Sequence, residues 1–402
     1  MTAPTTTRKR PARKPKPEGQ WKIDGKAPLN HDEELKQVEP VLEVKQRVID
    51  TYSKQGFASI PNEDLYPRFK WLGLYTQRKQ NLGGEHTGKD NLELQDEFFM
   101  ARVRFDGGQC STEQARAVGE ISRDYCRSTA DLTDRQNIQL HWVGIEDVPA
   151  IWEKLESVGL NTWDACGDVP RVIMGSPVAG IAKDEIIDAT PAIEKIKNEY
   201  VLREEFQNLP RKFKSAISGN ARQDVIHEIN DIAFIGVEHP ELGPGFELFV
   251  GGGLSTNPML AQSLGAFVTL EEVPEVWAAV VRIFRDYGYR RLRNRARLKF
   301  LVAQWGVAKF RQVLEEEYLG YKLPDGPRAP MNLIDRDHVG VHEQKDGKVY
   351  LGVKPTMGHL TGEQLIAIAD LAESYGLTRL RLTSFKAVSY THLRAHETPE
   401  HL

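Results

Sequence analysis

Polar and apolar residues alternate along two short segments of the chain, and this period of two predicts strands with one buried face. In residues 98–105, Met100, Arg102 and Arg104 alternate with Ala101, Val103 and Phe105. In residues 135–142, the polar face consists of Arg135, Asn137, Gln139 and His141. The apolar face there consists of Ile138, Leu140 and Trp142, with Gln136 as its one polar residue. A face made of a guanidinium, two amides and an imidazole is an unusual set of donors for a solvated strand.

Two amphipathic helices separate and follow these strands. Ser111 and Thr112 provide an N-cap for a helix that extends to about residue 127. A second helix is predicted over residues 148–159 and ends at Gly159. Strand, helix, strand and helix in succession predict a ferredoxin-like α/β sandwich half-domain over residues 91–165.

A second block, residues 166–325, has a different order of elements. It contains a glycine and serine turn (175–180), a helix (190–205), two short strands (231–237 and 246–252) and three closing helices (271–288, 294–305 and 307–319). The glycine run 251–253 has the composition of a backbone cradle for an anion. A Pro- and Gly-rich stretch then predicts a linker over residues 326–335.

The first pattern recurs after this linker. Residues 349–376 repeat the strand, glycine turn and Thr-x-Glu-Gln helix start of residues 98–126, and residues 377–385 repeat 132–140. A fold that begins twice indicates a duplicated architecture, whose second copy starts within residues 336–386.

The two ends of the chain read differently from the rest. Residues 1–20 are predicted to be a disordered basic tail, and residues 21–90 a helical extension. Residues 387–402 fit no helix or strand pattern. The peptide VSYTHLRAHET within them is the translation of a widely used transposase sequencing adapter, so we expect native sequence to end near Lys386.

Composition narrows the class of protein. The chain has 402 residues and a net charge of −4, which does not favour a nucleic-acid binder. It has no apolar run of about 18 residues and no secretory leader, so we expect a cytoplasmic protein without a membrane span. Its three cysteines, Cys110, Cys126 and Cys166, have no metal-site spacing and are expected to be thiols.

Five motifs in this order resemble the ferredoxin-dependent sulfite and nitrite reductases: LTDRQNIQLHW, CGDVPRVIMGSP, LPRKFKSAISG, DIAFIGV and FVGGGLSTNPMLAQ. The resemblance covers about residues 21–386. It implies an α+β fold of duplicated ferredoxin-like halves and nitrite/sulfite reductase α/β domains, with sirohaem between the copies. In that family a [4Fe–4S] cluster is held by C-x5-C and C-x3-C cysteines of the second α/β domain. No cysteine here has those positions, so the chain is expected to be an N-terminal part, with a truncated second copy and no activity by itself.

The resemblance also implies roles for individual residues. The substrate cluster corresponds to Arg102, Arg171, Lys212 and Lys214. The residues expected to bind sirohaem are Arg135, Asn137, Gln139, His141, Gly252 and Gly253. Tyr75 and Cys166 match positions close to the family's distal pocket, without an assigned role.

The substrate and partners follow from the same resemblance. Reduction of sulfite to sulfide takes six electrons, here expected from reduced ferredoxin, and needs fixed cations and proton donors. Lys214 favours sulfite, because plant nitrite reducers tend to carry Asn there; nitrite reduction to ammonia is the alternative. A non-enzymatic alternative is an RNA-binding ferredoxin-like module, which the placement of Trp142 opposite Arg135 disfavours. The basic segment 285–299 could receive an acidic ferredoxin, bind nucleic acid, or be a helix pair with structural ion pairs.

Overall fold

A computed structural model describes residues 31–79, 95–331 and 336–393. The α-helices are α1 (His31–Val38), α2 (Val44–Arg47), α3 (Ser53–Gln55), α4 (Thr112–Tyr125), α5 (Val148–Ser157), α6 (Thr190–Glu199), α7 (Val273–Tyr287), α8 (Leu298–Val313) and α9 (Gly362–Ser374). π-Helical turns occupy Val48–Tyr52, Asp64–Arg68 and Leu314–Leu319. The predicted tail 1–20 lies outside the described residues.

Fifteen strands complete the described part of the chain. They are β1 (Leu74–Arg78), β2 (Gln95–Val103), β3 (Gln109–Ser111), β4 (Ala130–Leu132), β5 (Ile138–Gly144), β6 (Pro170–Gly175), β7 (Phe213–Ser218), β8 (Ile232–His239), β9 (Gly243–Val250), β10 (Gln262–Val268), β11 (Gly340–Glu343), β12 (Val349–Val353), β13 (His359–Leu360), β14 (Arg379–Leu382) and β15 (Val388–Leu393).

The two ferredoxin-like copies exchange a short strand. The first sheet has the order β1-β2-β5-β4-β13, and its counterpart has the order β11-β12-β15-β14-β3. Thus β13 of the second copy pairs with β4, with Leu360 opposite Ala130, and β3 of the first copy pairs with β14, with Cys110 opposite Leu380. The sequence repeat is therefore an interlocked pair of copies, and the predicted duplicated ferredoxin-like fold is confirmed.

Helices α4 and α9 form the contact between these copies. Each begins with a capping box, Ser111 with Gln114 and Thr361 with Gln364, which satisfies two N–H groups of the first turn. Where the helices cross, a Cβ on Gly119 would lie 2.7 Å from the carbonyl oxygen of Gly362. Glycine at this crossing lets the helices approach closely, and one hydrophobic core spans both copies.

A third sheet, β10-β9-β8-β7-β6, lies beside the pair. Strands β6, β7 and β8 are parallel, whereas β8, β9 and β10 are antiparallel. The fully buried Trp277 of α7 packs on this sheet and donates from Nε1 to Ser215 Oγ at 2.8 Å. Arg171 is the second residue of β6, and Lys214 is the second residue of β7.

Two predicted features of the first copy need correction. The extension 21–90 is not purely helical, because β1 pairs antiparallel with β2. The second alternating strand begins at Ile138 rather than Arg135, since the Thr133 hydroxyl accepts from the N–H groups of Arg135 and Asn137 and holds residues 133–137 in a turn. Trp142, at φ 64°, then breaks the alternation, so Val143 takes the core position and Trp142 is only half-buried.

Two predictions for later parts of the chain also differ from the structure. Residues 388–393, expected to lack regular structure, form β15, which pairs with both β12 and β14 as β5 pairs with β2 and β4. The two predicted helices at 294–305 and 307–319 are one segment, α8, kinked at Gly306 (φ 76°) and continued by a π-helical turn. In the described part of the chain, no helix has the length and apolar character needed to cross a bilayer.

Candidate active site

A cavity of about 440 Å³ lies where the two ferredoxin-like copies meet the parallel strands β6 and β7 of the third sheet. Six cationic side chains line it: Arg102, Arg135, Arg171, Lys212, Lys214 and Lys386. Two carboxylates, Asp131 and Asp134, also line it. The excess of cations makes this cavity suited to a small anion or to a carboxylate-rich ligand.

Arg102 projects from β2 toward β5, where its register partner is Gln139. With its amide oxygen turned to Arg102, Gln139 accepts from Nε at 3.2 Å and from Nη2 at 2.5 Å. Nη1 of Arg102 contacts Cys166 Sγ at 3.1 Å, and the guanidinium lies 5.9 Å from the centre of the Tyr75 ring. These contacts fix the guanidinium plane and place Tyr75 and Cys166 beside it.

Arg171, 6% exposed, is fixed by backbone carbonyls. It donates to Gly167 O at 2.9 and 3.1 Å and to Ala165 O at 3.0 Å. Gly167 has φ 94°, and a Cβ there would lie 2.9 Å from the Trp71 ring, so the loop requires glycine. Burial would lower the pKa of Arg171, but Tyr75 and Cys166 raise it overall, so the cation persists.

The loop that carries Arg171 is tied to the first helix by ion pairs. The fully buried carboxylate of Asp168 contacts Lys36 Nζ at 3.6 Å, Arg211 at 3.4 Å and also Arg293. Although burial alone would raise it, Lys36 and Arg293 hold the pKa of Asp168 below its usual range. Helix α1 thereby contributes to the position of the cavity wall.

Lys212 and Lys214 flank the buried Phe213 at the start of β7, so both side chains face the cavity. Burial, followed by repulsion from Arg135 and Arg297, lowers the pKa of Lys214 to about 7. Burial, followed by repulsion from Arg171, lowers the pKa of Lys212 to about 8. Near neutral pH both amines can therefore exchange a proton, which an ordinary lysine does not do.

Arg135 extends from the β4–β5 turn across to the third sheet. It donates to Asn230 Oδ1 at 2.8 Å and to Val172 O at 2.9 Å, whereas its buried Nε has no partner within the described part of the chain. Burial lowers the pKa of Arg135 to about 9. An unsatisfied buried N–H on a cavity wall is the type of group that an anionic ligand would satisfy.

The same turn is locked by Gln136, which the alternation had marked as out of phase. It is fully buried, donates to Gly175 O at 2.8 Å and Leu382 O at 2.9 Å, and accepts from the Gly175 N–H at 2.9 Å. One side chain thus joins the first copy, the third sheet and the second copy. Asn137, also in the cavity wall, accepts from the Phe105 N–H at 3.3 Å.

Three of the predicted sirohaem-binding residues lie elsewhere. His141 is behind the lining, with Nε2 3.2 Å from Asp131 Oδ2. The N–H groups of Gly252 and Gly253 donate to Asn230 O at 2.8 Å and Met259 O at 2.9 Å, so the glycine run does not present them as an anion cradle. The run instead packs closely, since a Cβ on Gly252 would lie 2.6 Å from Asn230 O.

Sequence reasoning missed the contribution of the second copy to the cavity wall. Met357, His359 and Lys386 line the cavity. The repeat contained the signal, because Thr383 caps its turn as Thr133 does and Lys386 (φ 60°) corresponds to Gln136 (φ 56°). Only the strand exchange, however, brings this turn beside the first copy.

The basic segment 285–299 is largely engaged in internal ion pairs. Arg290 pairs with Glu33 at 2.8 Å, Arg293 with Asp32 at 2.7 Å, and Arg297 with Asp231 at 2.7 Å. These contacts support the structural interpretation of the segment over the two binding alternatives.

The three cysteines do not form one site. Cys110 is on β3, Cys126 follows α4, and only Cys166 is beside the cavity. Among the described residues, no cluster of three or more His, Cys, Asp or Glu side chains could hold a metal ion.

The fold and this cavity define an anion-binding α+β protein, and comparison with known proteins identifies the family. The model of the family described as "Nitrite and sulphite reductase 4Fe-4S domain" matches residues 166–323. That of the "Nitrite/Sulfite reductase ferredoxin-like half domain" matches residues 92–158 and 342–401. The chain belongs to the nitrite and sulfite reductase family.

Three individual members of this family are similar to the chain over most of its length. The chain is 55% identical over 381 residues to sulfite reductase [ferredoxin] 2 of Mycolicibacterium paratuberculosis, which covers 94% of this chain and 68% of that protein. It is 36% identical to the assimilatory ferredoxin-dependent nitrite reductase of Haloferax mediterranei, over 83% of this chain and 60% of that protein. The solved structure of the Mycobacterium tuberculosis NirA protein superposes with a TM-score of 0.92 at 53% identity, covering 95% of this chain and 70% of that one.

Proposed function

We propose that this chain provides the substrate-binding part of a cytoplasmic, ferredoxin-dependent sulfite reductase that reduces sulfite to sulfide. The observation that carries the proposal is the cavity lined by six basic side chains, in which two lysines have a pKa close to neutrality. The higher identity to sulfite reductase than to nitrite reductase supports this substrate.

The residues divide the chemistry between binding and protonation. Arg102 and Arg171, each fixed by several contacts, would hold the oxygens of the anion. Lys212 and Lys214 would donate protons to departing oxygens, because their pKa values lie near the working pH. Sulfite bears more negative charge than nitrite, so Lys214 favours sulfite electrostatically.

Sirohaem fits the cavity on the donor chemistry. Arg135, whose Nε has no partner among the described residues, and the neighbouring Asn137 and Gln139 would hold its carboxylates. When bound, sirohaem would supply the iron on which the substrate is reduced. We propose that the family's [4Fe–4S] cluster is held by cysteines that this chain does not contain, because its own three lie apart.

The test measures sulfite and nitrite turnover, with reduced ferredoxin, by the full-length enzyme that contains this chain, loaded with sirohaem and the [4Fe–4S] cluster. We expect a higher kcat/KM for sulfite, and a shift of this preference toward nitrite in Lys214→Asn. Lys348→Asn, which changes an exposed lysine paired with Asp346, is the matched control and should leave the preference unchanged. A preference of the unmodified enzyme for nitrite would contradict the proposal.

A further inference from the structure

One carboxylate at the edge of the cavity holds two imidazoles. Asp131 Oδ1 lies 2.6 Å from Nδ1 of His359, and Oδ2 lies 3.2 Å from Nε2 of His141. The strand exchange creates this cluster, since Asp131 of β4 and His359 of β13 are register partners from different copies. Asp131 and His359 line the cavity, and the His359 side chain is 64% exposed, so it contacts both the cavity and bulk solvent.

The contacts define the protonation of the cluster. Although burial would raise it, the hydrogen bonds from His141 and His359 hold the pKa of Asp131 below its usual value, so the carboxylate is ionised. An ionised carboxylate only accepts, so Nδ1 of His359 carries the hydrogen that it donates to Asp131, and Nε2 is the ring nitrogen that this carboxylate does not hold. Both ring nitrogens of His141 face acceptors, Asp131 Oδ2 and, at 3.2 Å, Gln77 Oε1.

The lysines of the cavity need such a group. Reduction of sulfite to HS⁻ and water consumes seven protons for six electrons, so each proton given by Lys212 or Lys214 must be replaced. The carboxylate of Asp231 accepts the backbone N–H of Lys214 at 2.8 Å and pairs with Arg297 at 2.7 Å, so its oxygens are already engaged. Burial separates both lysines partly from bulk water.

We propose that His359, oriented by Asp131, returns protons from solvent to the lysines of the cavity; this inference rests on the proposed function. The Nε2–H bond of the His359 imidazolium breaks, the neutral Nζ of Lys214 gains the proton, and His359 takes a replacement proton from bulk water. No electrons move in this step. His359 contacts Asp131, behind which lies His141. The other titratable and charged groups that line the cavity with His359 are Tyr75, Arg102, Asp134 and Arg135 on the side of the first copy, Lys386 of the second copy, and Arg171, Lys212 and Lys214 on the side of the third sheet. His359 is thus a proton-relay residue, and Asp131 is its positioning residue.

The kinetic test compares His359→Ala with His31→Ala between pH 6 and 9 in the full-length enzyme that contains this chain, loaded with sirohaem and the [4Fe–4S] cluster. His31 is a suitable control because its side chain is also exposed (68%) and also faces a carboxylate, Glu34 at 3.7 Å. We expect kcat for sulfite at pH 8 to fall about tenfold in His359→Ala with KM within about twofold, and added imidazole to restore most of the loss. A purely structural role would not respond to imidazole. Equal kcat in the two variants across the pH range, or a lower kcat that imidazole does not restore, would overturn the relay.

A second measurement needs no turnover. Nitrogen NMR of the unmodified protein should place the proton of neutral His359 on Nδ1, and Asp131→Asn should remove this preference. A neutral His359 protonated on Nε2 would overturn the proposal independently of the kinetics. If the full-length enzyme that contains this chain, loaded with sirohaem and the [4Fe–4S] cluster, does not reduce sulfite, the proposed function fails. A full-length enzyme that is active but indifferent to His359→Ala contradicts the relay alone.

Discussion

Replacing Lys214 by Met tests the electrostatic account of the cavity most directly. The substitution removes the amine and keeps most of the apolar stem, so packing beside Phe213 changes little. Because burial and the neighbouring cations lower the pKa of Lys214 to about 7, the free protein at pH 8 holds this amine mostly neutral. The cavity is therefore short of one positive charge until an anion enters.

The size of the effect follows from Coulomb's law. An anion about 4 Å from the ammonium stabilises it by about 4 kcal/mol at an effective dielectric of about 20. That energy is enough to return the pKa of Lys214 close to its ordinary value of 10.5. Binding is thus coupled to proton uptake: affinity is constant below about pH 7, where the amine is already charged, and falls up to tenfold per pH unit above it.

Calorimetry in buffers of different ionisation enthalpy measures this uptake. Nitrite is the suitable probe, because its charge does not change between pH 6 and 9. In the absence of sirohaem, the state to which the pKa of about 7 applies, we expect Lys214→Met at pH 8 to take up almost one proton fewer than the unmodified protein. Lys212→Met should lose only about half a proton, because the pKa of Lys212 is about 8. Equal proton uptake in Lys214→Met and the unmodified protein would refute the reasoning.

Three further substitutions test the framework of the site, each by urea or thermal unfolding. Gly119→Ala places a Cβ 2.7 Å from the Gly362 carbonyl oxygen and should lower the free energy of unfolding by about 1–3 kcal/mol. The control Glu153→Ala, at an exposed position, should change it by less than about 0.5 kcal/mol. Similar changes in the two variants would contradict the close helix crossing. Gln136→Leu leaves the Gly175 N–H and the Leu382 carbonyl unpaired, for an expected loss of at least about 2 kcal/mol, and a neutral effect would show that the turn is held otherwise. Burial raises the pKa of Asp164 to about 6, so the protonated carboxyl stabilises the fold by about 3 kcal/mol below about pH 4. This contribution is lost as the pH rises through 6. Asp164→Asn should abolish this pH dependence of the free energy of unfolding, and an unchanged pH profile in the variant would contradict the role of Asp164.

Local patterns predicted a large part of the fold. The capping residues Ser111 and Thr361 marked the starts of α4 and α9, because a side chain that accepts an N–H of the first turn acts within a few residues. The alternation of residues 98–105 identified β2, because successive side chains of a strand point to opposite faces of its sheet. Alternation failed at Arg135 and Trp142, where the Thr133 hydrogen bonds and a positive φ angle overrode the period of two.

Most, but not all, residues of the candidate site could be predicted from the sequence. The resemblance marked Arg102, Arg171, Lys212, Lys214, Arg135, Asn137 and Gln139, and all seven line one cavity. It also marked His141, Gly252 and Gly253, which do not line it, because a glycine run carries no indication of where its N–H groups donate. Neither pattern nor resemblance pointed to His359 or Lys386 as part of the site.

What the sequence by itself determined is most elements of the first ferredoxin-like copy and the duplication, because propensity and capping are properties of neighbouring residues, and, through the family resemblance, the chemical identity of most cavity residues. What only the tertiary structure decided is which groups meet. The exchange of β3 and β13 places His359 of one copy on Asp131 of the other, 228 residues away along the chain. Burial beside Arg135 and Arg297 then lowers the pKa of Lys214 to about 7. Both effects depend on distances across the fold and on exclusion of water, which no local stretch of sequence contains.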